Sequence, residues 1–362
     1  MRITTFQLIV FLLSVSAVPA GAQALSYADG LRQGEPAFLV YLAGPDGGPV
    51  VGRAQGASNG PGAYARTGPE AYTGFKAVIQ YENGTTSPGF TGFPVPGGSM
   101  LEAGDYWDFV SIEGLALPVH ARRDIALGAV MFLLGVPVDA PVGKAVIFVL
   151  GPDGKAAAEF RTMVSRQEFR RDDISLNADL TSLRVDQDPR KDEQARRYLA
   201  LLGTTRVDAV FLDQGFIRPV AGERRTSLFG DIRRYIYADD GTAWSIHNGV
   251  DYGYPTGTPV RAAGNGRVVL AEDRIVTGNT VVLEHLPGVY TIYMHLHQMA
   301  VQVGDMIEMA QQIGTIGATG LATGPHLHWE LRIAGVACDP EALAGVDKMP
   351  RIRTMTTAIE GR

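Results

Sequence analysis

Short apolar runs that stop at turn signals constrain this chain more than any other feature. The run AFLVYLA at residues 37–43 ends at Gly44-Pro45-Asp46-Gly47, and AVIFVL at 145–150 ends at Gly151-Pro152-Asp153-Gly154. Each reads as strand, Pro-Asp-Gly turn, strand. RVVLA at 267–271, TVVLE at 280–284 and VYTIY at 289–293 continue the pattern between glycines. With 44 Gly, 21 Pro and only 8% aromatic residues, the chain fits turn-rich β structure better than a helical bundle. Asn83-Gly84-Thr85 matches a glycosylation sequon, but Asn-Gly between two strand-like runs is read first as a hairpin turn.

A length of 362 residues suggests two domains, each able to bury its own core. The expected fold is mainly β. Residues 25–165 form a β-sandwich-like accessory domain, 166–220 a connector, 221–345 an antiparallel β domain, and 346–362 a tail without periodicity. The connector holds the best helix of the chain, at 188–203. Asp188 is placed to cap it, Pro189 stands at its first position and Gly203 lies just past its end. Ala195, Tyr198, Leu199 and Leu202 fall on one apolar face, which predicts packing on one side only.

The first residues give a positive start at Arg2, an apolar run from Phe6 to Val18 and the small residues Ala22-Gln23-Ala24. That order describes a cleavable export signal over 1–24, and the expectation is a periplasmic or extracellular protein with no membrane span in the mature chain. A net charge of −6 and a pI near 5.7 leave no broad basic surface, so nucleic acid is excluded as a partner. A single cysteine, Cys338, excludes an intrachain disulfide and a thiolate metal site; it reads as a small buried apolar residue.

Six of the seven histidines fall between residues 247 and 328. Four of them fall in three local patterns, His247-Asn-Gly-Val-Asp251, Tyr293-Met-His295-Leu296 and Gly324-Pro-His326-Leu-His328-Trp-Glu330. Imidazole and carboxylate suit Zn²⁺, which in hydrolytic sites takes three protein groups and keeps a fourth position open. His247, Asp251 and one of His326 and His328 complete such a set. Positions i and i+2 of a strand share a face, so one of that pair can bind metal while the other handles a proton. Four residues of extended strand cover about 13 Å, far more than the roughly 4 Å between two ligand atoms on one zinc. The chain must therefore bend between His247 and Asp251, and Gly249 is the expected place.

Taken together, these residues resemble the LytM/lysostaphin-type zinc endopeptidases of the M23 family over about 226–342, including the lead-in Thr226-Ser227-Leu228-Phe229-Gly230 and the run from Val303 through Gln312 to Gly320. The resemblance implies that His247, Asp251 and His328 hold one Zn²⁺, and that His295 and His326 are the two catalytic histidines outside the metal. It further implies hydrolysis of peptide bonds in bacterial peptidoglycan cross-links or stem peptides, with His326 or His295 taking the proton of the attacking water. His285 and His297 are expected to be structural, and Tyr293 and Trp329 to be packing residues. The one departure is Met309-Ala310-Gln311, where relatives show basic residues and a Gly before the Gln; it bears on the shape of a turn.

Other classes account for less. A lipoyl or biotinyl carrier needs a lysine at a hairpin tip, and there is none between Lys191 and Lys348. The remaining alternative is a catalytically inactive, peptidoglycan-binding regulator of another cell-wall hydrolase, which would be expected to lack one or more of the five residues. A regulatory protein partner acting through residues 25–165 is a further expectation.

Overall fold

The computed structural model describes residues 24–26, 31–43, 74–94, 128–212 and 215–345. Residues 1–23 of the export signal expected over 1–24, the turn after residue 43 and the tail lie outside them. The described N-terminal strands are β1 (Ala24–Ser26), β2 (Leu31–Arg32), β3 (Pro36–Ala43), β4 (Lys76–Tyr81), β5 (Phe90–Thr91), β6 (Phe93–Pro94), β7 (Gly128–Gly135), β8 (Gly143–Leu150) and β9 (Ala156–Ser165). They form a four-stranded sheet in the order β1-β3-β7-β6 and a five-stranded one in the order β2-β9-β8-β4-β5. Alternation drives the packing. Ala77, Ile79 and Tyr81 of β4 and Ala145, Ile147 and Val149 of β8 are buried, and they share one apolar core with Leu39, Val130 and Phe132 of the other sheet. Both expected turns that are described form. Residues 151–154 join β8 to β9 with Gly154 at φ 77°, and Asn83-Gly84 closes the turn after β4 with Gly84 at φ 84°, both in the left-handed region that favours glycine.

Next come β10 (Arg171–Ser175), α1 (Ala178–Val185) and α2 (Pro189–Leu202). α2 begins as expected: Asp188 Oδ1 accepts from Arg190 N at 2.9 Å, and Pro189 opens the first turn. Its buried face is narrower than the expected one. Tyr198 and Leu202 are buried, whereas Leu199 is 63% exposed and Ala195 is also exposed. The reason is what the helix lies on. Tyr198 and Leu202 pack on Val282, Tyr290, Ile292 and Met294 of a sheet face. Along the same stripe, one and two turns earlier, Gln194 and Lys191 are half-buried against a polar region. The contact stripe is thus rotated away from Leu199.

The C-terminal strands are β11 (Arg225–Ser227), β12 (Ile232–Ile236), β13 (Thr242–Ile246), β14 (Gly249–Tyr252), β15 (Pro259–Arg261), β16 (Gly266–Arg274), β17 (Gly278–Leu286), β18 (Val289–Met299), β19 (Met306–Ile307), β20 (Gln312–Ile316), β21 (Leu327–Ile333) and β22 (Val336–Cys338). Most join one antiparallel sheet whose main path is β11-β14-β21-β18-β17-β16-β19. β10 adds to the β12–β13 hairpin by parallel pairing with β12. Leu327, Trp329, Leu331 and Ile333 of β21 enter the main core. By alternation His328, Glu330 and Arg332 take the other face, opposite Met294, Ile292 and Tyr290 of β18 in register. That second face carries the metal-ligand candidates at one end and α2 at the other. Cys338 is fully buried, and Gly135 packs so closely on it that a Cβ there would come within 3.1 Å of the Cys338 sulfur.

Candidate metal centre

Antiparallel pairing of β14 with β21 sets Asp251 directly opposite His328. His247 follows the end of β13, and residues 247 and 248 link β13 to β14 outside any strand. Gly249 is therefore not the bend. It sits in β14 as the residue that lets this strand approach β21: a Cβ would lie 2.3 Å from the Trp329 carbonyl oxygen and 3.0 Å from His328 Nε2. The link before it brings His247 Nε2 to 3.1 Å from Asp251 Oδ1. His328 Nδ1 lies 2.8 Å from the same oxygen and 2.9 Å from His247 Nε2. All three residues are buried.

The outer hydrogen bonds fix which nitrogens face inward. His247 Nδ1–H donates to the Leu228 carbonyl at 2.7 Å, and His328 Nε2–H donates to Glu330 Oε1 at 2.9 Å. The inward atoms, His247 Nε2, His328 Nδ1 and Asp251 Oδ1, are then all lone-pair donors gathered around one point. Three buried acceptors cannot satisfy each other, so the cluster needs a positive particle, a proton or a metal ion. Its response to protons agrees. Burial works against a charged His328, but hydrogen bonds with Asp251 and Glu330 outweigh it and hold the ring at about 9. Burial lowers His247 below its ordinary value. Asp251 stays well below the usual carboxylate range, its two histidine contacts overcoming the penalty of burial. Two imidazole nitrogens and one carboxylate oxygen are a donor set that fits zinc.

Two supporting residues escaped the sequence reading. Arg233, half-buried on β12, pairs through its guanidinium with Asp251 Oδ2, so one carboxylate oxygen is tied to the arginine and the other is left for the cluster. Glu330 was visible in the His-Leu-His-Trp-Glu run without a role. It holds His328 on one oxygen and receives Arg332 Nε at 2.7 Å on the other. Burial opposes its charge, yet Arg332 and His328 keep it at about 2.

His295 and His326 stand beside this cluster, with ring centroids 4.8 Å apart. His295 Nδ1–H donates to the Thr319 carbonyl and His326 Nδ1–H to the Gly324 carbonyl, both at 2.8 Å, which leaves each Nε2 turned away from the backbone. His326 Nε2 is 3.9 Å from Asp251 Oδ1, and the His295 ring centroid is 6.3 Å from that of His328. His295 adopts φ 60°, a left-handed conformation costly for a residue with a Cβ, held by its N–H to the Thr277 carbonyl at 3.0 Å. Burial, then the neighbouring His326 and His328, push its ring down to about 3, so it is neutral at pH 7.

The other two histidines lie apart. His285 is fully buried between the Asn265 carbonyl and the Thr291 hydroxyl, and His297 is exposed. Tyr293 and Trp329 are buried core residues.

Comparison with known proteins bears on this region. Residues 245–340 match the family described as Peptidase family M23. Over 128 residues the chain is 41% identical to the DD-carboxypeptidase/endopeptidase Mpg of Neisseria meningitidis serogroup B, covering 35% of this chain and 29% of that one. Over 89 residues it is 44% identical to the peptidoglycan DD-endopeptidase ShyA of Vibrio cholerae, covering 25% and 21%. The chain thus spans less than a third of the length of these relatives. Among solved structures it is similar to a zinc containing peptidase from Vibrio cholerae, at 19% identity, covering 66% of this chain and 89% of that one with a TM-score of 0.34.

Proposed function

We propose that this protein, whose residues 245–340 match Peptidase family M23, is a zinc-dependent endopeptidase that hydrolyses peptide bonds in bacterial peptidoglycan, in cross-links or stem peptides. The observation that carries the reading is the convergence of His247 Nε2, Asp251 Oδ1 and His328 Nδ1 on one point, with two further imidazoles beside it. Relatives named as peptidoglycan endopeptidases support the substrate class. Residues 221–345 form the peptidase unit in this reading and 25–165 an accessory one. Such a substrate puts the working site outside the cytoplasmic membrane, in accord with the export signal expected over 1–24. Among the described residues no helix is long and apolar enough to cross a membrane.

His247, Asp251 and His328 would hold the ion. When bound, zinc supplies a Lewis acid that polarises the scissile carbonyl and lowers the pKa of a water to about 7. The protein's own residues supply the rest. Arg233 and Glu330 keep the ligands in one orientation. His326 or His295, each with Nδ1 anchored on a backbone carbonyl and Nε2 left for the substrate side, takes the proton of the attacking water and returns it to the leaving amine. The inactive-regulator alternative has no observation in its favour, since all five residues are in place.

The test is release of soluble peptide fragments from purified peptidoglycan by residues 25–362, with and without a chelator, beside His328→Ala. The expected result is release that stops with chelator, returns with zinc and is absent from the variant. Release that ignores both chelator and substitution would sink the proposal.

A further inference from the structure

A cavity of about 350 Å³ opens beside the metal centre, between α2 and the sheet face that carries the ligands. Three lining residues join it to the site. Asn248 lies between His247 and Asp251, Glu330 bonds His328, and Thr277 accepts the backbone N–H of His295 through its carbonyl. Its far wall comes from α2, which lies outside the family match.

The charge of the wall is positive although the whole chain is acidic. Glu330 and Arg332 neutralise each other at 2.7 Å, which leaves Lys191 and Arg274. The Lys191 ammonium uses one of its three N–H groups, on the Asp186 carbonyl at 2.6 Å. Arg274 is only 7% exposed and sits over the Tyr198 ring. Its two terminal nitrogens reach Thr277 and Gln194, while its buried Nε–H has no partner. Around these groups the wall is apolar, with Ala195, Val276 and Met294.

We propose that this cavity is a substrate subsite for a residue with an aliphatic stem ending in a free carboxylate, held by Lys191 and Arg274. The inference rests on the peptidase reading and deepens it. The anionic groups of an unmodified peptide are carboxylates, and the volume accommodates a whole side chain rather than the carboxylate alone. α2 is therefore a specificity wall as well as a link.

The experiment uses zinc-loaded protein and purified cross-linked peptidoglycan fragments in two forms, untreated or with every carboxyl converted to a primary amide by carbodiimide and ammonia. Hydrolysis is followed by mass spectrometry, and affinity by calorimetry on zinc-free protein. A preference of about tenfold for the acid form is expected in both readouts, the scale of one charge-assisted hydrogen bond. Lys191→Met should narrow that ratio and Lys191→Glu should abolish or invert it; Arg274→Met should narrow it too. Equal handling of the two forms by the parent, or an unchanged ratio in Lys191→Glu, overturns the subsite and leaves the peptidase reading standing. Preferential binding of the acid form with no hydrolysis of either form upholds the subsite and removes the peptidase reading.

Discussion

At the scale of residues, the centre is governed by atoms one step behind the ligands. Glu330 fixes the His328 tautomer and adds negative charge beside the cluster, so its loss should weaken cation binding twice over. Glu330→Gln is expected to lower zinc affinity about 10- to 100-fold, read by competition with a chelating dye. The variant also leaves Arg332 without its charge partner, so denaturant unfolding of the zinc-free form should show a loss of about 3 kcal/mol. An unchanged dye competition would remove Glu330 from the metal site. The three residues that could hold a metal were legible because a histidine pair at i, i+2 and a His-x-Gly-x-Asp run are local patterns. Arg233 and the role of Glu330 were not, because each depends on where one strand lies against another. Gly249 was singled out for the wrong reason: a glycine's φ freedom is a sequence-level idea, whereas the close approach to Trp329 exists only once β14 meets β21.

At the scale of elements, strand and turn positions followed from alternation and turn chemistry, while the buried face of α2 did not. Helical spacing identifies a set of apolar residues, but which of them touch the sheet depends on how the helix is rotated over it. The expected consequence is a contrast within α2. Leu202→Ala should cost about 2–4 kcal/mol of stability, because it empties a buried site. Leu199→Ser, one turn away and exposed, should stay within about 0.5 kcal/mol. Urea titration of both separates this packing from the one drawn from spacing alone, which would have them cost alike. The turn at Met309-Ala310-Gln311 gives a second test. Ala310 holds φ 68°, a conformation that favours glycine, with its N–H on the Ala262 carbonyl at 3.0 Å. Relief of the left-handed strain, about 1–2 kcal/mol, exceeds the entropic cost of a new glycine, about 0.4–1 kcal/mol. Ala310→Gly is thus expected to raise stability by about 0.5–1 kcal/mol, visible as a higher denaturation midpoint; a lower midpoint would show that the turn is not strained.

At the scale of the whole molecule, the apolar core runs without interruption from Leu31 to Ala344, and the contacts that join its parts are long-range. The Asp339 N–H reaches the Gly34 carbonyl at 2.8 Å, and β10 pairs with β12 across both helices. No local pattern announces such contacts, which is why the docking of the N-terminal strands was illegible in the sequence. His285 stands at one of these junctions. Its carbonyl accepts the N–H groups of Phe211 and Leu212, its ring packs edge-on to Phe216, and Phe216 bridges to Ala344. Burial pushes this ring down to about 4, against an unfolded value near about 6.5. The unfolded chain therefore binds more protons between pH 4 and 6.5, and stability must rise with pH across that window and fall on acidification. The full loss below pH 4 is about 3 kcal/mol from this one residue. His285→Gln cannot titrate, so its stability should decline less steeply than the parent's from pH 7 toward pH 4.5. The difference between the two slopes, measured by denaturant unfolding at matched zinc concentration, isolates His285 from the histidines of the metal centre. Parallel slopes would mean that the junction admits water when the ring is charged, and that acid lability arises at the centre instead.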